Sequence, residues 1–160
     1  MKLTSSVWVV VPEMVRLLES ANFSQSPHHK HRPTVEFGAF VSPPAGESVT
    51  VTGSTRRPSS DWATQGRPGV DERHELEIVV AVNTPGLTAL ETFGRVAMLG
   101  GEIEDALRDR DTGHPIISAA MAAAGVRVPN LHTPETVIVP TANEGWAGVA
   151  QYVYAWSARL

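Results

Sequence analysis

Apolar residues recur along the second half of the chain with two different periods. In RHELEIVVAV at 73–82, His74, Leu76, Ile78, Val80 and Val82 fall on one side, and Arg73, Glu75, Glu77, Val79 and Ala81 on the other. A period of two predicts a β-strand. It begins charged and ends apolar on both sides, so it reads as running from an exposed rim into a buried centre. Asn83-Thr84-Pro85-Gly86 breaks it. The step then changes to three and four. Over 88–110, Leu90, Phe93, Val96 or Ala97, Leu99, Ile103 and Leu107 share one side. Glu102, Glu104, Asp105, Arg108, Asp109 and Arg110 lie mostly opposite, which predicts an amphipathic helix. Gly94, Gly100 and Gly101 each weaken it by about 1 kcal/mol relative to Ala, and they read as places where the sheet comes close. Asp111-Thr112-Gly113 ends the helix. A further strand is predicted over 146–158, with Val149, Gln151, Val153 and Ala155 against Ala150, Tyr152, Tyr154 and Trp156.

The first half is less regular. Ser5 or Ser6 caps a helix over 6–21, with Val7, Val10 or Val11, Met14, Leu17 or Leu18 and Ala21 on one stripe. Pro12 either kinks this helix or marks a start near Val10, where its missing N–H costs nothing. A polar connection, NFSQSPHHKHRP, leads to a strand over 34–41. Residues 42–71 are rich in Pro, Gly, Ser and Thr, with a short strand at 49–52, and read as a long interface loop or arm. There Arg56, Arg57 and Arg67 flank Trp62, a composition suited to a partner contact; the alternative is that Trp62 folds back over the core. IISAAMAAAG at 116–125 fits a short helix or a strand. VRVPNL and TVIVP read as two short strands separated by His132-Thr133-Pro134, and 143–145 as a turn. There is no internal repeat and no heptad pattern.

Together these elements predict an α/β (α+β) fold. One domain spans 1–160, with an antiparallel or mixed central sheet and the helices 6–21 and 88–110 packed on one face. The expected core is Val35, Phe37, Leu76, Ile78, Val80, Phe93, Val96, Ile103, Leu107, Val153 and Trp156. A length of 160 residues with 42% hydrophobic content supports one core. The formal net charge of −4 gives no overall field to hold nucleic acid. With no cysteine, a disulfide scaffold, a thiolate nucleophile and a zinc ribbon are excluded. VWVVVP at 7–12 is too short to span a bilayer, and the amphipathic stretch after it reads as no export signal.

Candidate chemistry is sparse. His28, His29 and His31 could gather a metal, but Lys30 and Arg32 repel a cation, and the segment reads as a solvated loop. In Asp71-Glu72-Arg73-His74-Glu75, alternation points His74 away from Arg73 and Glu75, against a convergent triad. Glu102, Glu104 and Asp105 read as a solvated helix face, with Arg108 placed to pair with Glu104. No nucleotide-binding, hydrolase or metalloprotease motif is present. No catalytic, cofactor or metal site is therefore expected.

The order of features carries a resemblance. A helix of the type SSVWVVVPEMVRLLESA precedes a strand and a loop bearing DWATQGRPG. The acidic-entry strand DERHELEIVVAV, a helix finishing in GEIEDALRDRD and the strand GWAGVAQYVYAWSARL follow. This order resembles the tail terminator proteins of long-tailed, non-contractile bacteriophages, particularly those infecting actinobacteria. It covers most of the chain, with its best-matching parts at 62–66, 71–82, 102–111 and 145–160. The resemblance implies a homohexameric ring on the tail tube that stops polymerisation and offers a surface for head joining. Its implied partners are the major tail tube protein and the head-tail connector or stopper. It implies a place in the virion after assembly in the host cytoplasm, with no membrane, catalysis or cofactor. DNA would pass through the bore without specific binding, so an acidic lining is expected, with Glu102, Glu104, Asp105 and Asp109 as candidates. The runner-up is another neck ring protein, such as a head-completion or stopper protein. A small-ligand-binding or enzymatic α/β domain is the third reading.

Overall fold

The computed structural model describes residues 5–26, 28, 32–39, 46–62, 70–141 and 145–159. In chain order the elements are α1 (Val7–Ser20), β1 (Thr34–Phe37), β2 (Gly46–Trp62), β3 (Val70–Asn83), α2 (Ala89–Leu107), α3 (Ala119–Ala123), β4 (Val126–Pro140) and β5 (Trp146–Arg159). The strands form a five-stranded mixed sheet in the order β1-β2-β3-β5-β4. Only β1–β2 is parallel; the other pairs are antiparallel. The result is a single α+β domain, as the periodicities predict.

Alternation decides which face of the sheet is covered. Leu76, Ile78 and Val80 of β3 lie beside Tyr154, Tyr152 and Ala150 of β5, and all are buried. Val10, Met14 and Leu18 of α1, Val96, Leu99, Ile103 and Leu107 of α2, and Met121 of α3 pack into this same core. Both long helices thus cover one face, because each has one buried stripe and the sheet offers one continuous apolar surface. Burying such a side chain contributes about 1.5–3 kcal/mol. Burial also pushes the phenols of Tyr152 and Tyr154 up to about 12.

The helix starts differ in chemistry. Thr88 and Glu91 form a capping box, with Glu91 N donating to Thr88 Oγ1 at 3.2 Å and Thr88 N to Glu91 Oε2 at 2.7 Å. Ser6 stands at the α1 N-cap, yet its hydroxyl makes no capping bond. Pro12 lies inside a continuous helix that begins at Val7, so a start near Val10 is excluded. Proline removes the bond to the carbonyl of Trp8, and Pro12 and Trp8 both stand on the exposed side of the helix.

Several expectations are corrected. Much of the stretch expected as a turn-rich loop is strand β2, paired to β3 from Gly46↔Asn83 to Trp62↔Val70. Two irregularities, between Val51 and Thr55 and between Arg56 and Ser59, absorb its extra residues. The two strands expected at 126–140 are one, β4. Its pairing breaks register between Arg127 and Asn130 and between His132 and Glu135, the places where Pro129 and Pro134 stand. Residues 119–123 are helical, with Ser118 Oγ accepting from Met121 N at 3.2 Å. Phe37 is 62% exposed, since β1 is a four-residue edge strand. Phe93 is 47% exposed, because α2 turns Thr92, Arg95 and Val96 inward instead. Val153 is half-buried on the uncovered face. Of the helix glycines, Gly100 meets a side chain: a methyl there would collide with the Tyr152 hydroxyl, whereas Gly94 and Gly101 face open space.

Candidate assembly surfaces

Two buried polar clusters fix the helices on the sheet and so decide which surfaces remain outside. The first joins α2 to β2. Glu47 points inward, two residues before Val49. Arg95 Nε and Nη2 donate to Glu47 Oε1 and Oε2, each at 2.8 Å. Nη2 also donates to the Ser24 carbonyl at 2.6 Å, and Nη1 to Ser24 Oγ at 3.0 Å. Ser24 N in turn donates to the two carboxylate oxygens of Glu102 at 3.1 and 3.2 Å. A two-pronged ion pair with further hydrogen bonds meets the condition under which buried charges are tolerated.

The second cluster joins the start of α1 to β3 and β5. Glu72 and His74 both point inward, two residues apart on one strand. Glu72 Oε2 accepts from Ser5 Oγ at 3.1 Å, Ser6 N at 3.2 Å, Ser6 Oγ at 3.2 Å and His74 Nε2 at 3.1 Å. Trp156 Nε1 donates to Ser6 Oγ at 2.9 Å, and the His74 ring stacks on Trp156 at 5.2 Å. Burial raises the Glu72 pKa, but the hydrogen bonds from His74, Ser6 and Ser5 outweigh it, and the carboxyl titrates below its ordinary 4.5. Alternation separates His74 from Arg73 and Glu75, as expected. The same alternation brings Glu72 and His74 together, a pairing that the sequence reading passed over.

This cluster is not a nucleophile relay. A triad places the imidazole between hydroxyl and carboxylate. Here the carboxylate stands between the serines and the imidazole, and Ser6 is fully buried. Among the described residues, no group of three or more His, Cys, Asp or Glu side chains is placed to hold a metal. Of the histidine-rich segment only His28 is described; His29 and His31 lie outside the described residues. No helix among the described residues is long and apolar enough to cross a membrane.

Among the described residues, two unlike surfaces remain outside, on opposite sides of the sheet. One is the outward face of α2, where Leu90 is 79% and Met98 55% exposed. They lie beside exposed Phe93, Gly94, Ala97 and Gly101, and the stripe ends in Glu104 and Asp105. The other is the uncovered sheet face. Over Ser48, Thr50, Val79 and Ala81 that face is buried, but along β5 and β4 it is open. Val137 and Val139 are exposed toward one end. Toward the other, Arg73 of β3 and Arg127 of β4 are both register partners of Ser157. These residues, with Glu75 and Arg159, line an open groove of about 690 Å³. Among the described residues, none of the three arginines has an ion-pair partner.

The expected site residues divide between these regions. The backbone of Arg56, Arg57 and Trp62 runs in β2 within the hairpin with β3; Arg67 lies outside the described residues. Glu102 is half-buried and holds Ser24, while Glu104 is half-buried and Asp105 exposed on α2. Asp109 lies past the helix end, where its Oδ1 accepts from Asp111 N at 2.8 Å and Thr112 N at 3.1 Å. These bonds hold its carboxyl below the ordinary aspartate range. The expected pairing of Arg108 with Glu104 is replaced: Arg108 donates to the carbonyls of Gly113 and Leu131, each at 3.1 Å. That ties the end of α2 to β4. The arginine row was missed because its members are 30 and 84 residues from Ser157, and only the strand order sets Arg127 and Arg73 on either side of it.

No family model matches the chain, and neither does any curated protein. Among solved structures, the fold is similar to a chain of the virion of a native gene transfer agent particle. The two share 14% identity with a TM-score of 0.51, over 92% of this chain and 84% of that one.

Proposed function

We propose that this chain is a structural protein of a bacteriophage-type virion and, within that class, a tail terminator. The observation that carries the class is the fold likeness to a virion component over nearly the whole chain. The narrower reading draws on the order of sequence features together with the two unlike open surfaces. A subunit that closes a ring head-to-tail needs two different faces. A cap that ends a tube needs no reactive group. The proposed assembly is a hexameric ring seated on the last ring of the tail tube, with the connector or stopper above it, in the neck of the virion. The hairpin of β2 and β3 is the proposed arm toward the tube.

The deciding experiment is removal of the protein during particle assembly, read by electron microscopy. A tail terminator leaves tails of uncontrolled length without heads. A head-completion or stopper protein instead leaves tails of normal length unjoined to heads, and that outcome overturns the reading. Normal, infectious particles would remove the chain from the virion altogether.

A further inference from the structure

Resting on the ring reading above, we infer that α2 of one subunit lies along β5 of the next, on the uncovered sheet face, with its C-terminal acids in the arginine groove. The two surfaces match in order and in length. From Leu90 to Asp105, α2 rises about 22 Å at 1.5 Å per residue. From Val149, the register partner of Val137, to Ser157, the partner of Arg73 and Arg127, β5 covers about 26 Å at 3.3 Å per residue. An arginine side chain spans the difference. In this alignment Leu90 and Phe93 meet the end carrying Val137 and Val139. Gly94, Ala97 and Gly101 bring the helix close to Val149, Val153 and Ala155, and Glu104 and Asp105 reach Arg73 and Arg127.

Charge selects the occupant. Glu75 and Glu77 lie on the same face of β3 as Arg73, and Glu135 of β4 lies on that face too, across Gln151 of β5 from Val79. A duplex backbone would run its phosphates over these carboxylates. A helix whose apolar stripe carries its acids at the two ends, Glu91 held in the capping box and Glu104 and Asp105 by the arginines, has none along its middle to meet them, and this chain carries such a helix on its opposite side. Opposite placement makes the contact heterologous, so it runs head-to-tail from copy to copy, as the proposed ring requires, rather than pairing two copies in a symmetric dimer. It also takes Glu104 and Asp105 out of the channel and into the wall between subunits.

Charge reversal tests this. One variant carries Arg73→Glu and Arg127→Glu; the other carries Glu104→Arg and Asp105→Arg. Each alone should self-associate at least about tenfold more weakly than wild type by sedimentation velocity. Mixed in equal amounts, they should assemble again, because every helix then meets a face of opposite charge. As the chain has no cysteine, Ala97→Cys with Val153→Cys provides a second, charge-independent measurement. Oxidation should give a ladder of covalent oligomers, whereas either cysteine alone gives at most dimers. Wild-type association by both reversal variants, or rings without a ladder, overturns the inference and leaves the ring reading standing. If the arginine variant forms rings but no longer binds duplex DNA or tail tubes, the groove belongs to that partner and the inference fails. A wild-type chain that never forms rings, even on tube ends, overturns both.

Discussion

At the residue scale, the polar side chains inside this molecule work as fasteners, and each has a measurable signature. Replacing Arg95 with Met leaves the Glu47 carboxylate buried without its partner, so a loss of about 3–5 kcal/mol is expected in urea unfolding. The double replacement Arg95→Met with Glu47→Leu should recover most of that loss, since two apolar side chains leave no uncompensated charge. Glu72 makes a pH prediction. Its folded pKa lies below the ordinary 4.5, so its bonds add stability above that value. The contribution is lost as pH falls through the depressed folded pKa. Thermal unfolding followed through the acid range should show a decline that flattens in Glu72→Gln. An unchanged slope in that variant would remove Glu72 from the account. Gly125 has φ +77°, and a Cβ there would strike the carbonyl of Arg159. Gly125→Ala should therefore cost about 1–3 kcal/mol.

At the element scale, α2 explains both what was legible in the sequence and what was not. Its extent and inner stripe follow from the steps between Val96, Leu99, Ile103 and Leu107. Its orientation does not, because Leu90, Phe93 and Ala97 continue that stripe in sequence while facing outward in space. The deciding residue is Arg95, drawn inside by Glu47 from 48 residues away. Periodicity reads a helix's own residues and is blind to such a partner. β3 and β5 were readable because alternation is local. Of β2 only the short strand at 49–52 was readable; the rest was hidden by its Gly, Ser, Thr and Pro content, and the pairing that makes it a strand comes from β3. The open surfaces share this limit: the members of each come from separate strands or from the side of a helix that sequence takes for inner. Two substitutions on α2 separate its sides. Leu99→Ala should lower stability by about 2–5 kcal/mol. Leu90→Ser with Phe93→Ser should change monomer stability by less than about 0.5 kcal/mol yet weaken self-association in the sedimentation experiment. The hairpin makes a further prediction. Replacing 54–69 with a short turn should leave the near-ultraviolet circular dichroism of the core native, because β3 keeps β5 as a partner, while the tube capping proposed above is lost. Retained capping would assign the arm another role.

At the scale of the whole molecule, the described residues form a sheet with one face covered by helices, the other face open along β4 and β5, and a helix layer whose outside is apolar. In the proposed ring, six copies at −4 sum to −24 (6 × −4). That field repels phosphate, so the ring should retain no duplex even at low salt, as read by mobility shift. Stable retention would replace the passive channel with a DNA clamp.

Among the described residues, the sheet order leaves the fifteen-residue β4 with one edge that no further strand pairs. Such an edge ordinarily templates the addition of further strands without limit. Pro129, Pro134 and Pro140 remove three of its N–H donors, and two breaks in register interrupt its line. Growth by edge-to-edge pairing is thereby discouraged along the longer of the two edge strands. In the proposed role this has a particular value, since a subunit that ends a polymer must not seed one of its own. Replacing the three prolines with threonine should make the protein form fibres visible by electron microscopy while leaving the core untouched.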